Sequence, residues 1–204
     1  MARCPDSAPA SWLALPSEPW KNGGGRTRTL AADGAGRWRA SIADIDRDGP
    51  YSRFPGYDRV SVVLSGQGVA LRGEGAAVLL LPGKPAGFSG DAAFQSRLLG
   101  DPVRVLNLFV LRRAARACVC AIGGPAAALR AGALDGPART IRLALALRAG
   151  RLAEAPGVAL AADEFVVTAG GGDACGAFVP AAGLPSDGVA AVVLDIGVAD
   201  PGCT

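Results

Sequence analysis

The chemistry open to this chain is narrowed first by a missing residue: among its 204 residues there is no histidine. Ser-His-Asp and Cys-His catalysis are therefore closed to it, as are metal sites built on two imidazoles and a carboxylate. Proton transfer would fall to Asp, Glu, Lys, Tyr or Cys, and Lys21, Asp44, Tyr51 and Tyr57 are the nearest such group in sequence. The block from Trp20 to Arg28 sets an aromatic, Lys21, Asn22 and three glycines ahead of Arg26. Such a backbone can approach a ligand closely, with polar groups beside it, or it can simply open a strand through a tight turn. Asp44, Asp46, Asp48 and Gly49 match the first half of a calcium loop, but Pro55 stands where the twelfth-position glutamate belongs, so a solvated turn is expected. Period two places Asn107 on the face of Val103, Val105, Phe109 and Leu111, where a buried amide must be paired or must face a ligand.

Five cysteines (Cys4, Cys118, Cys120, Cys175 and Cys203) show no CxxC or CxxH spacing. They predict neither a zinc site nor a disulfide framework, and read as apolar filler. Arginine supplies most of the basic charge, which is scattered and leaves a net of only +3, so no nucleic-acid footprint is expected. The N-terminal stretch lacks a signal-peptide apolar run and no segment has membrane-span length, which makes a soluble cytoplasmic protein the expectation.

The elements that must position these residues read as strands. Segments 26–31, 37–43, 59–65, 76–81, 94–99, 103–111 and 117–122 are short, β-branched or alternating, and separated by Gly, Pro and Asp. A second set covers 139–147, 158–160, 164–168, 174–179 and 189–196. In 38–42 the alternation sets Trp38, Ala40 and Ile42 on one face and Arg39 and Ser41 on the other. Gly124 to Asp135 is alanine-rich but punctuated by Gly and Pro, and is taken as a connector. An all-β chain in two halves follows, residues 1–122 and 123–204, packed as one compact unit. Glycine runs 23–25 and 170–172 lack the Lys and Ser/Thr of a phosphate cradle.

The strings WKNGGGRTRTL, WRASIADIDRDGPYSRFPGYDRVSVVLSGQGVAL, FSGD and LLGDPVRVLNLFVLRR, in this order from Trp20 to Arg113, resemble the HutD/Ves family. That resemblance implies a two-halved cupin (double-stranded β-helix, bicupin-like) barrel. Cupins commonly hold a metal through histidines near turns like Gly66-Gln67-Gly68 and Pro82-Gly83; here the turns are kept and the ligands are absent. The implication is a pocket with no metal or other cofactor and an association with histidine utilisation, where such a protein would restrain or sense the pathway. The ligand class implied is a small carboxylate such as formylglutamate or urocanate.

A carboxylate asks for a fixed guanidinium, amide donors and a dry wall. Arg59 is the leading candidate, because it opens strand 60–64 just after the Pro55-Gly56 turn. Lys21, Asn22, Ser41 and Asn107 would add polar groups, with Trp20 and Phe54 as the wall. An ion pair of Arg59 with Asp58 or Asp44 is the structural alternative. Two further readings stand beside the binding protein: a metal-independent isomerase or hydrolase acting on a small acid, and a homodimer formed by pairing of edge strands.

Overall fold

The structure is a computed structural model and describes residues 8–123, 127–134, 138–153, 158–172, 174–182 and 188–199. The only helical element among them is a three-residue 3-10 turn, Trp12–Ala14. No helix of the described residues is long and apolar enough to cross a membrane.

Among the described residues, hydrogen bonding arranges nineteen strands into four sheets. The first, in spatial order, is β2 (Glu18–Pro19), β3 (Gly25–Ala32), β4 (Trp38–Ile45), β11 (Val103–Leu111), β6 (Tyr57–Ser65) and β9 (Ala86–Ser89). Facing it is β5 (Gly49–Tyr51), β10 (Phe94–Leu98), β7 (Val69–Gly73) and β8 (Ala76–Leu80). The other six-stranded sheet runs β1 (Ala10–Ser11), β17 (Glu164–Ala169), β14 (Ala138–Ala146), β19 (Ala191–Ala199), β12 (Ala115–Ile122) and β13 (Ala127–Gly132). A small sheet of β16 (Ala159–Leu160), β15 (Gly150–Leu152) and β18 (Phe178–Pro180) completes the set.

The pairing scheme repeats. In the first half β6 pairs with β11 and β9, and β7 with β8 and β10. In the second, β14 pairs with β19 and β17, and β15 with β16 and β18. The two large sheets stack on each other through the faces that alternation made apolar. Trp38, Ala40, Ile42, Val60, Val62, Leu106 and Leu108 from one meet Ala117, Val119, Leu143, Leu145, Phe165 and Leu194 from the other in one buried cluster. Each half keeps a smaller core of its own behind its large sheet.

Three expectations are corrected. A closed barrel is not what the ladders form: the sheets remain four separate, open units. The presumed connector contains β13, paired in register with β12 from Arg116–Gly132 to Ala121–Ala127; residues 124–126 and 135 at its ends lie outside the described set. Alanine has little strand preference of its own, so this strand is recruited by its neighbour and by Leu129, which packs on the shared core. Finally, Cys120 and Cys175, 55 residues apart, form a disulfide with Cα atoms 5.3 Å from each other, while Cys118 is a free thiol. No local motif announces a bridge between a strand and a distant turn. Cys4 and Cys203 lie outside the described residues. The seam expected after Ile122 falls at the end of β12, whose partners are β13 and β19; the chain changes sheet between Leu111 and Ala115.

Candidate functional site

The face of β4, β11 and β6 turned away from the shared core carries the polar residues. Directly opposed residues of antiparallel strands point to the same side. Two adjacent rows result: Ser41–Asn107–Ser61, and Arg39–Phe109–Arg59. Beneath them lies a cavity of about 210 Å³, lined also by Trp20, Thr27, Tyr51, Ser52 and Phe54, with Glu18 at its rim. Such a space is below the ~300–1,000 Å³ of pockets for drug-sized ligands and suits a small molecule.

Arg59 is the centre of this arrangement. It is 4% exposed, yet no carboxylate pairs with it among the described residues. The two acids expected as alternatives are engaged elsewhere: Asp58 accepts from Arg112 at 2.8 Å, and Asp44 from Arg28 and Arg104 at 2.9 and 2.7 Å. Arg59 Nη1 donates to the Ser52 carbonyl at 2.9 Å and Nη2 to Asn107 Oδ1 at 3.2 Å, while Nε is buried without a partner. Aromatic rings surround the guanidinium, their centroids 4.5 Å (Tyr51), 4.7 Å (Phe109), 5.1 Å (Phe88) and 5.2 Å (Phe54) from Cζ. Their electron-rich faces offset part of the cost of desolvation. Burial still pulls the Arg59 pKa below its ordinary value, against which the neighbouring Tyr51 pushes back. A guanidinium retains its proton at neutral pH under such a shift, so the site is a desolvated positive charge.

Asn107 ties the site together. Its Oδ1 accepts from Ser61 Oγ at 2.7 Å, from Tyr51 Oη at 3.2 Å and from Arg59. That leaves its Nδ2 with no protein acceptor among the described residues, in a side chain that lines the cavity. Ser41 lies beside it on β4, and Trp20 closes one wall with its indole N–H donating to Thr27 Oγ1 at 2.7 Å. Phe54 packs on Phe109 with centroids 4.3 Å apart.

Of the seven residues singled out in the sequence, Trp20, Ser41, Phe54, Arg59 and Asn107 line this one cavity, and Lys21 and Asn22 do not. Both of the latter are exposed, and Asn22 Oδ1 accepts from the Gly24 amide at 3.0 Å, holding the turn in which Gly23 N bonds Trp20 O. Gly25 lies against the Asp44 carbonyl with no room for a Cβ. The glycine block is thus the hairpin turn that swings Trp20 over the cavity. Among the four proton-transfer candidates only Tyr51 lines it; the Tyr57 hydroxyl donates to Gly36 O at 2.6 Å. Asp48 Oδ1 accepts from the Leu98 amide at 2.7 Å, a turn contact. Arg39, Ser52 and Phe109 are lining residues that the sequence reading missed. Arg39 and Phe109 carried a signal, since each shares a period-two face with Ser41 or Asn107.

The second half supplies an internal comparison. Asp195 is the fifth residue of nine-residue β19, as Asn107 is of nine-residue β11. Beside it on β14 is another buried arginine, Arg142, which donates through Nε and Nη2 to both Asp195 carboxylate oxygens at 2.7 Å. Where the second half provides a carboxylate for its arginine, the first provides a neutral amide.

A family model described as HutD matches residues 13–174. Among curated proteins, an uncharacterized 21.2 kDa protein in the hutC 3′ region of Pseudomonas putida is 43% identical over 99 residues, 46% of this chain and 52% of that protein. Protein Ves of Citrobacter koseri is 36% identical over 111 residues, 52% of this chain and 58% of that protein. The chain thus spans about half the length of the curated relatives it matches. Among solved structures, a conserved Pseudomonas aeruginosa protein superposes with a TM-score of 0.70 at 26% identity, over 94% of this chain and 98% of that one. HutD from Pseudomonas fluorescens, solved in a formate condition, gives 0.65 at 25% identity over 96% and 100%.

Proposed function

The chain belongs to the HutD family, and on that premise we propose that it is a metal-free binding protein for a small carboxylate, acting as a regulator or sensor in histidine utilisation. One observation carries the reading: Arg59 is a buried guanidinium with an unspent Nε and no paired carboxylate among the described residues, on the wall of a small cavity. An ionised group held out of water is costly unless paired. A carboxylate completes the site, accepting from Arg59 and from the Asn107 amide, with Trp20, Phe54 and Phe109 excluding water. The formate condition of the P. fluorescens HutD structure concerns the same class of anion. Family membership supports the rest of the reading: a cupin architecture, a pathway intermediate such as formylglutamate or urocanate as ligand, and a regulatory role.

Calorimetric titration with formate, acetate, urocanate and formylglutamate tests this. At least one should bind in the millimolar range or tighter. Arg59→Leu should abolish that binding, and Arg59→Lys, which keeps charge but loses the planar fork, should weaken it about tenfold or more, since charge-assisted hydrogen bonds are worth about 1.5–3 kcal/mol. Absence of heat and of thermal shift with all four acids at millimolar concentration overturns the reading.

A further inference from the structure

We propose that the second half carries a ligand site of its own, for a small phosphate monoester held between Arg116 and Arg130. It stands on residues separate from the Arg59 cavity, so either site can fail without the other. The correspondence between the halves locates it. As Asn107 on β11 stands between Ser41 of β4 and Ser61 of β6, so Asp195 on β19 stands between Cys118 of β12 and Arg142 of β14. Two residues along, the row Arg39–Phe109–Arg59 has Arg116–Gly197–Thr140 as its counterpart. Arg116, Cys118, Thr140, Asp195 and Gly197 line a cavity of about 340 Å³ on the face turned away from the shared core, joined by Arg130 of β13, the register partner of Cys118. That volume lies within the ~300–1,000 Å³ of small-molecule pockets.

The chemistry of the two places differs. Gly197 stands where the first half has the ring of Phe109, and its missing side chain lets Arg116 lie across β19: a Cβ there would meet Arg116 Cγ and Nε at 3.1 Å. Asp195 spends its charge inside the protein, on Arg142 at 2.7 Å and on the Gly172 amide at 3.1 Å. Arg116 and Arg130 are exposed, and neither has a hydrogen-bond or ion-pair partner among the described residues. Because Arg130 is opposite Cys118 and Gly132 is opposite Arg116, the two arginines are diagonal neighbours, about 7–8 Å apart. Like charges at that spacing repel, and two uncompensated cations on one cavity match a single dianion. A phosphate monoester carries about −1.5 to −2 charge at neutral pH and three acceptor oxygens, enough to engage a fork from each guanidinium. The Thr140 hydroxyl stands on the same wall. A monocarboxylate brings half the charge, and a dicarboxylate divides its charge between two points.

Glycerol phosphate is the probe, with succinate as the dicarboxylate comparison. Cys118, a free thiol on the cavity wall, reports occupancy through its rate of modification by a neutral pyridyl disulfide, read by peptide mass spectrometry. Glycerol phosphate should bind by calorimetry in the millimolar range or tighter, at least tenfold more tightly than succinate, and should slow modification of Cys118 threefold or more. Arg116→Gln and Arg130→Gln should each weaken binding about tenfold, the worth of a charge-assisted contact, and the double variant should lose the protection of Cys118. Both side chains are exposed, so the variants should melt as wild type does and keep whatever acetate binding the Arg59 cavity shows. Absence of both heat and protection overturns the proposal. So does heat without protection of Cys118, or binding that the double variant retains, since either puts the phosphate elsewhere. Succinate binding as tightly as glycerol phosphate refutes the phosphate class.

Discussion

Asn107 and Asp195 occupy corresponding places in the two halves and differ by one atom, an amide nitrogen for a carboxylate oxygen. In the second half that oxygen neutralises Arg142; in the first, the amide leaves Arg59 charged toward the cavity. Substituting Asn107→Asp would hand Arg59 an internal counter-ion of unchanged shape. The expected outcome is loss of carboxylate binding by calorimetry with a melting temperature equal to or above wild type, because an external anion no longer has a vacancy of charge to fill. Asn107→Leu should behave differently: Ser61 Oγ, Tyr51 Oη and Arg59 Nη2 all lose their acceptor. Buried donors left unsatisfied cost about 1–3 kcal/mol each, so this variant should melt well below wild type. If both variants bind acetate as wild type does, Asn107 has no part in recognition.

At the scale of elements, the turn before β6 delivers both Phe54 and the Ser52 carbonyl, and Asp91 anchors that turn. Its Oδ1 accepts from the Gly56 amide at 2.8 Å, and its Oδ2 accepts from Arg112 and from Ser89 Oγ. The Gly56 amide first, then Arg112 and Ser89, hold the Asp91 carboxyl at about 2. A lowered folded-state pKa means that the stabilisation is fully present above the unfolded value near 4 and is lost as pH falls through about 2. The difference in melting temperature between wild type and Asp91→Asn should accordingly be constant above pH 5 and shrink to nothing toward pH 2. At neutral pH the variant should also bind acetate more weakly, with no lining residue changed. The sequence made much of this scaffold legible, because alternation in β4, β6 and β11 separates core from cavity residue by residue. It was silent where partners come from afar. Ser52 reaches the cavity from the turn after a short strand of the facing sheet, the disulfide joins positions 55 apart, and β13 is alanine-rich and takes its form from β12. Lys21 and Asn22 lie outside this cavity for a related reason: proximity to Trp20 along the chain says nothing about which side of a hairpin turn a side chain leaves.

The whole molecule is held by the cluster between the two large sheets, to which both halves contribute. Neither half buries that face alone, so calorimetric unfolding should show one transition, and a fragment ending near Arg113 should aggregate. Two further ties cross the seam: Arg37 Nη1 donates to Ala199 O at 2.9 Å, and β1 pairs with β17. The disulfide of Cys120 with Cys175 acts within the second half. Its reduction, or Cys175→Ser, should cost about 2–4 kcal/mol and lower the single melting temperature by roughly 5–15 °C without splitting it. The crossing of β1 also sets a schedule. Trp12 is completely buried and its indole N–H donates to Asp163 Oδ1, 151 residues later. A ribosome adding about 5–20 residues per second needs on the order of ten seconds to supply that acceptor. Trp12 therefore waits undocked while the 151 residues that lead to its acceptor are made.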